Sequence, residues 1–200
     1  MHGLINKALQ AFICDAFGAD AWEEILHRSG ADAVLGSDGF EAMQLYDDGL
    51  TVTVLATAAQ LLRRSRDALL EDLGTYLISG ERQEPLRRLL RFGGVSFTDF
   101  LFSLDDLQGR SHLAVPELGL PELSISEVET GGFSLACRDG WPGFGHVLVG
   151  ALRALADDYG ALVVLEHHGT GSGTEEVIAI EVHDPAYYAG RRFDLAVEGR

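Results

Sequence analysis

The spacing of apolar residues changes once along the chain, near Pro116, and this change constrains the fold more than any other feature. Before Pro116, apolar side chains such as Leu9, Phe12 and Ile13 recur at the spacing of one face of a helix. After Pro116, segments with strand-like alternation become frequent. The order predicts an α+β fold, with an N-terminal helical subdomain and a C-terminal antiparallel sheet that carries helices.

Start and stop signals set the expected limits of each element. Gly18 and Gly30 stand where helical stripes end, and Asp20 and Ser96 stand where N-cap residues are expected. We predict helices over residues 4–18, 21–27, 51–62, 67–78, 86–92 and 144–159, and one from Phe97 to about Gln108 or beyond. We predict strands over residues 122–128, 133–138, 161–166 and 177–182, with a turn at 169–173.

The length of the chain fits one domain. A chain of 200 residues is long enough for a substantial core but short for two domains. We expect a single domain over residues 1–183, with a helical distal part over about 1–65 and a proximal α/β part over about 66–183. Residues 184–200 show no clear period and are expected to be a C-terminal extension.

The charge excludes several classes of partner. The chain has 31 acidic and 15 basic residues, a formal net charge of −16. This argues against binding to nucleic acids or to an anionic membrane, since both need excess basic surface. The sequence shows no signal-peptide layout and no apolar run of the roughly 18 residues that a spanning helix needs. Cys14 and Cys137 form no C-x-x-C pair, so we expect a cytoplasmic protein with reduced thiols.

The basic residues are concentrated in one stretch. Seven of the fourteen arginines lie between Arg63 and Arg91, so the local charge there is far less negative than the chain average. This stretch is either a solvated helical face or a docking surface for an anionic partner.

No catalytic motif is present in the sequence. The chain lacks G-x-S-x-G, H-E-x-x-H and P-loop patterns, and we therefore expect no enzyme activity. The glycine-rich run at 169–173 is not followed by the lysine of a phosphate-binding loop, so it is interpreted as a hairpin turn. His167 and His168 are adjacent on a predicted strand, where they face opposite ways and cannot share one metal.

One histidine stands at the end of an apolar helix. His112 follows the predicted helix over 97–108 and precedes Pro116. It is either a helix-end histidine that interacts with the C-terminal dipole or a metal ligand.

Six segments carry a further signal. They are Met1-His-Gly-Leu-Ile-Asn-Lys-Ala-Leu9, Phe17-Gly-Ala-Asp-Ala-Trp-Glu-Glu-Ile25, Tyr46-Asp-Asp followed by 52–62, Phe100-Leu-Phe-Ser-Leu-Asp-Asp-Leu107, Pro116-Glu-Leu-Gly-Leu-Pro121 and Gly143-Phe-Gly-His-Val-Leu-Val-Gly-Ala-Leu152. Together and in this order, they resemble the H-NOX family, the haem-based nitric oxide and oxygen sensing domain related to the sensor domain of soluble guanylate cyclase. The resemblance covers residues 1–183.

The resemblance implies a cofactor, a site and a partner. It implies b-type haem held between a helical distal part and an α/β proximal part. One histidine would ligate the iron and a Tyr-x-Ser-x-Arg motif would hold the propionates. It also implies a signalling protein that reads the change, a kinase, cyclase or diguanylate cyclase, and we expect this to be a separate protein.

This chain departs from the family at the haem positions. Gln108 stands at the position of the iron ligand, and Cys137, Asp139 and Trp141 stand at the three positions of the propionate motif. Pro116 opens the segment that packs against haem in the family. An amide oxygen is a poor substitute for imidazole, and an acid and an indole replace a hydroxyl donor and the guanidinium.

Two functions follow from these departures. The favoured one is a haem-free module of the H-NOX fold that binds another ligand or a protein. The alternative is a haem-binding gas sensor with a non-standard axial ligand, His112, which lies one helical turn beyond Gln108. Cys137 offers a thiolate as a further alternative ligand.

Overall fold

The N-terminal half folds into helices that surround one apolar core. The computed structural model describes residues 1–36, 39–80, 90, 93–115, 117–170 and 175–183. Its first helices are α1 (Gly3–Phe17), α2 (Ala19–Ser29), α3 (Asp32–Leu35), α4 (Asp48–Leu62) and α5 (Arg66–Ser79). The predictions for 4–18, 21–27, 51–62 and 67–78 are therefore confirmed to within three residues at each end.

Side-chain caps and glycines set the ends of these helices. Asp47 accepts a hydrogen bond from the N–H of Gly49 at the start of α4, and Ser65 accepts one from Ala68 at the start of α5. The expected N-cap role of Asp20 is wrong, because Gly18 occupies the N-cap of α2. Asp20 instead lies in the first turn, where its negative charge interacts favourably with the helix dipole.

The core of the helical half is formed by side chains from α1, α2, α4 and α5. Ile13 of α1, Ile25 of α2, Val54 of α4 and Leu69 of α5 are all buried in it. Phe40, from the segment between α3 and α4, is fully buried and contacts the ring of Tyr46 edge-on at 5.0 Å. This core fixes the ends of α1 and α4, which form one wall of the site described below.

The predicted helix over 97–108 is wrong in its continuity. The structure has α6 (Phe97–Phe102), a 3₁₀ turn (Ser103–Asp106) and α7 (Leu107–Ala114). The tighter turn brings Asp105 to the sheet, where its carboxylate accepts a hydrogen bond from the N–H of Ile125 at 2.7 Å. The predicted helix over 86–92 lies almost entirely outside the described residues.

The C-terminal half is a four-stranded antiparallel sheet. Its strands are β1 (Glu122–Glu129), β2 (Gly132–Arg138), β3 (Leu162–Thr170) and β4 (Glu176–His183), in the spatial order β1-β2-β4-β3. The four predicted strands are confirmed, but β3 continues past Glu166, so Gly169 belongs to the strand and not to the turn. Pairing of Leu135 with Ile178 joins the two hairpins into one sheet.

The helix α8 (Phe144–Tyr159) joins the two halves, and its predicted limits are confirmed. One face covers the sheet through buried residues such as Leu152 and Leu155. Its other face crosses α5 at backbone contact distance. A Cβ on Gly74 would collide with the carbonyl of Val147, and one on Gly150 would collide with the carbonyl of Glu71. Glycine at both positions lets α5 and α8 approach closely.

Candidate functional site

A cleft of about 370 Å³ separates the two halves of the molecule. One wall comes from the N-terminus, the segment before α4, and α4 itself. The other comes from residues 117–119 and 139–142, and Arg66 also lines the cleft. Large apolar side chains remain exposed on this surface, with Leu45 at 58% and Val52 at 50% of their full accessibility. A concave, partly apolar surface of this size is typical of a small-molecule site.

His2 anchors the helical wall of the cleft. It is only 4% exposed, and its Nδ1 accepts a hydrogen bond from the backbone N–H of Leu4 at 3.2 Å, which makes it the N-cap of α1. A nitrogen that accepts from a backbone N–H carries no proton, so the neutral imidazole has its proton on Nε2. The His2 ring, which lines the cleft, therefore offers a hydrogen-bond donor.

The N-terminal amine is held beside the same wall. It donates to the carbonyl of Tyr46 at 2.8 Å and pairs with the carboxylate of Asp48. The backbone N–H of Gly3 donates to the carbonyl of Gln44 at 2.7 Å. These contacts fix the segment before α4 against the start of α1.

A buried polar pair lies behind the α4 wall. Thr51, which lines the cleft, donates from Oγ1 to Oδ1 of Asn6 at 2.8 Å. Asn6 is completely buried, and its Nδ2 has no hydrogen-bond partner among the described residues. A buried amide donor without an acceptor is uncommon in folded proteins.

The loop over 139–142 forms the opposite wall. Asp139 has a positive φ of 56°, unusual for a residue other than glycine, and turns the chain from β2 toward α8. The indole of Trp141 contacts the ring of Phe144 edge-on at 5.6 Å. Its Nε1 is buried without an acceptor.

Arg66, the first residue of α5, holds this loop in place. Its Nη2 donates to the carbonyl of Pro142, which leaves Nε buried without an acceptor. Asn6, Arg66 and Trp141 carry all the unsatisfied buried side-chain polar atoms found in the described part of the chain. Arg66 and Trp141 line the cleft, and Asn6 is one hydrogen bond away from it.

Glu176 fixes the far end of the 139–142 loop. It is only 5% exposed, and its two carboxylate oxygens accept hydrogen bonds from the N–H groups of Gly143 (2.8 Å) and Gly145 (2.9 Å) at the start of α8. The Nε2 of His167 lies 2.9 Å from the same carboxylate, and the His167 ring lies 4.2 Å from that of His146. Sequence reasoning missed Glu176. The signal was available, because residues two apart on a strand share a face and Glu176 alternates with the buried Ile178 and Ile180 on β4.

A second groove, of about 340 Å³, lies along α7. Gln108 and His112 line this groove and do not line the cleft. The side-chain amide of Gln108 donates to the carbonyl of Leu120 at 3.2 Å, and His112 is exposed. Of the described residues, only Gly119 lines both spaces.

The remaining predicted site residues are dispersed. Cys137 is 2% exposed and lines neither space. Burial, with a smaller contribution from the charge of Glu176, raises the pKa of its thiol to about 12, so it is protonated at neutral pH. Asp139 and Trp141 do line the cleft, and Pro116 lies outside the described residues. No cluster of three or more potential metal ligands occurs in the described ranges.

The arginine-rich stretch is only partly described. Arg64 pairs with Asp72 at 2.6 Å, and Arg66 faces the cleft loop instead of contributing to an outer surface. Arg82, Arg87, Arg88 and Arg91 lie outside the described residues. The docking surface therefore stays a prediction.

The model of the haem-NO-binding family matches residues 2–167. The chain belongs to the haem-NO-binding family. The predicted resemblance to H-NOX domains is thereby confirmed, and so is the predicted α+β fold, since solved H-NOX structures superpose on this one. An H-NOX protein from S. oneidensis in the Fe(II)NO state matches with a TM-score of 0.75 and 15% identity, over 92% of this chain and 100% of its own. An unliganded Fe(II) H-NOX variant from K. algicida matches with a TM-score of 0.76 and 17% identity, over 94% and 100%.

Curated relatives of this H-NOX domain are much longer proteins. Soluble guanylate cyclase 89Da of Drosophila melanogaster is 20% identical over 164 residues, which is 82% of this chain and 24% of the relative. Soluble guanylate cyclase gcy-31 of Caenorhabditis elegans is 25% identical over 158 residues, or 79% and 22%. The chain thus spans about a quarter of the length of these cyclases. None of the described helices has the length and hydrophobicity of a membrane-spanning segment.

Proposed function

We propose that this H-NOX domain is a haem-free regulatory module whose cleft binds a different organic ligand. The observation that carries the proposal is the separation of Gln108 and His112 from the cleft that Asp139 and Trp141 line. A haem would need an iron ligand and propionate donors around one cavity. This donor set does not fit haem.

The other candidate iron ligands support the same proposal. The Nε2 of His2 is protonated as long as Nδ1 caps α1, so ligating iron through Nε2 would remove that cap. The Cys137 thiol, with a pKa of about 12, is not a thiolate at neutral pH. At the propionate positions, Asp139 and Trp141 supply neither the hydroxyl nor the bidentate guanidinium of the family motif.

The proposed module acts through another protein. The relatives named above are cyclases, and the family resemblance suggests a kinase, cyclase or diguanylate cyclase as the receiver of the signal. We propose no catalytic role for residues 1–183 and keep the cytoplasm as the expected compartment. Ligand binding would act by repositioning the 139–142 loop, which is attached to α5 through Arg66 and to β4 through Glu176.

An absorption titration tests the proposal. The protein is expressed with excess haem precursor and also titrated with hemin, then reduced, and spectra are recorded with and without nitric oxide. We expect no stoichiometric Soret band. The variant Gln108→His is expected to behave in the same way, because position 108 faces the second groove.

Two variants resolve the opposite result. A saturable, stoichiometric Soret band that shifts with nitric oxide would contradict the proposal. Loss of that band in His112→Ala would then identify His112 as the axial ligand and establish the gas-sensor alternative. Loss in Cys137→Ser instead would identify a thiolate ligand.

A further inference from the structure

The hydrogen-bonding groups around the cleft are unevenly distributed. Three residues that line it contribute N–H groups: the half-buried Arg66 and Trp141, whose Nε and Nε1 atoms are buried, and His2, through Nε2. The Arg66 and Trp141 groups have no acceptor in the described structure. The carboxylates on the cleft, those of Asp48, Glu117 and Asp139, are all exposed to solvent.

From this distribution we infer that the cleft takes an apolar ligand bearing an oxygen acceptor, either a carboxylate or a neutral carbonyl, which binds Arg66 and Trp141. The inference rests on the proposed function and specifies its ligand class. A buried N–H without an acceptor carries a desolvation cost that an incoming oxygen removes. Leu45, Val52 and Leu118 supply the apolar contacts for the rest of the ligand.

The exposed carboxylates would by themselves predict the opposite preference, for a cation. They lie in water, where charge interactions are weak and screened, and Asp48 is already paired with the N-terminal amine. The Arg66 and Trp141 donors are shielded from water, so their hydrogen bonds to a ligand are stronger. We therefore expect the buried N–H groups, and not the exposed carboxylates, to determine which ligands the cleft prefers.

Binding requires a local movement. The Nε of Arg66 and the Nε1 of Trp141 are both covered by neighbouring atoms in this structure. An acceptor reaches them when the indole of Trp141 turns toward the cleft. The loop that carries the indole includes Gly140 and ends at Gly143, whose φ is 92°. Because the indole N–H would change its surroundings in this movement, its NMR signal can report binding.

Three probes with one aromatic body test the inference on the full chain. They are naphthylacetate, naphthylacetamide and naphthylethylammonium, and their affinities are measured by isothermal titration calorimetry. We expect both the carboxylate and the carboxamide to bind at least about tenfold more tightly than the ammonium probe, the effect of roughly one hydrogen bond. Tighter binding by the carboxylate or by the carboxamide would tell which oxygen chemistry the cleft prefers.

The indole N–H signal gives a second readout. In ¹H–¹⁵N spectra, the cross-peak of Trp141, assigned with Trp141→Phe, is expected to shift with the two acceptor probes, and the cross-peak of Trp22 is not. Trp141→Phe keeps the aromatic ring and should weaken acceptor binding about tenfold. Arg66→Ala should do likewise, and the matched control Arg64→Ala, whose partner is Asp72, should have no effect.

The failures of the two proposals are distinguishable. Equal or tighter binding of the ammonium probe, no binding of any probe, or an unmoved Trp141 cross-peak would each overturn the acceptor inference while the visible spectrum stays flat. A nitric oxide-sensitive Soret band would overturn the haem-free function itself, whatever the probes do.

Discussion

The carboxylate of Glu176 accepts a hydrogen bond from the backbone N–H of Gly145 at 2.9 Å, which connects β4 to the first turn of α8. The same carboxylate accepts a hydrogen bond from the N–H of Gly143. It therefore satisfies N–H groups that have no partner within the helix, and its negative charge interacts favourably with the positive end of the helix dipole. Gly143 directly follows the cleft loop over 139–142. Glu176 is therefore the residue through which the sheet positions one wall of the cleft.

Replacing Glu176 by glutamine should destabilise the protein. Glutamine offers one oxygen where two backbone N–H groups and His167 now converge, and its NH₂ faces donors. We expect the free energy of unfolding to fall by about 2 kcal/mol in urea titrations. The control is Glu175→Gln, which removes a half-exposed ion pair with Arg138 and should change stability by less than about 1 kcal/mol. Equal effects of the two variants would contradict the role of Glu176.

Alanine at Gly145 should disrupt the same contact. A Cβ there would collide with the carboxylate of Glu176 and with Nε2 of His167. The matched variant is Gly109→Ala in α7, where a Cβ meets nothing within 4 Å. Thermal unfolding should show Gly109→Ala stabilised by up to about 1 kcal/mol, as expected for glycine replacement in a helix interior. Gly145→Ala should be destabilised, so a stabilised Gly145→Ala would show that this packing is not tight.

Thr51→Val tests the buried pair behind the cleft wall. Removing the hydroxyl leaves the Oδ1 of Asn6 without its donor, in addition to the unpaired Nδ2. We expect a loss of about 1–3 kcal/mol in the free energy of unfolding. Thr53→Val, which removes a hydrogen bond from an exposed hydroxyl to the carbonyl of Gly49, should cost less. Similar losses for both would show that Asn6 finds another partner.

The stability of the protein should fall at alkaline pH partly because of Cys137. Its pKa is raised to about 12 in the folded state, and a thiol in an unfolded chain titrates near about 8.5. The folded state therefore holds this proton more tightly, and its contribution is complete below the unfolded pKa and decreases as pH rises above it. Between about pH 9 and 10.5, the slope of unfolding free energy against pH should be less steep in Cys137→Ser by up to about 1.4 kcal/mol per unit. Identical slopes, with any difference at pH 7 subtracted, would contradict the shift.

Local signals in the sequence were sufficient for most of the fold. The helix over 144–159 and the four strands follow from apolar periodicity, because burial of one face imposes that spacing on any sequence. The continuous helix over 97–108 was wrong because the 3₁₀ turn depends on Asp105 reaching the backbone of Ile125, a partner twenty positions away. The limits of the domain at 1–183 and of its parts stay predictions.

The candidate site was less predictable than the fold. Sequence comparison with the family indicated Asp139 and Trp141, which do line the cleft, and placed Gln108 and His112 with them, although the structure puts these two in a separate groove. Arg66 and Glu176 were missed. Neither carries a motif, and their partners, Pro142 and the start of α8, lie 76 and about 30 positions away.

The sequence by itself determined the family and the α+β architecture, because these depend on residue type and local spacing. Only the tertiary structure decided which groups meet at the cleft. The close crossing of α5 and α8 at Gly74 and Gly150 brings Arg66 to the 139–142 loop, and the packing of that loop leaves the N–H groups of Arg66 and Trp141 buried without acceptors. A donor is left unsatisfied when segments distant in the sequence pack over it without supplying an acceptor. Local sequence patterns do not encode that packing, so they cannot predict such donors.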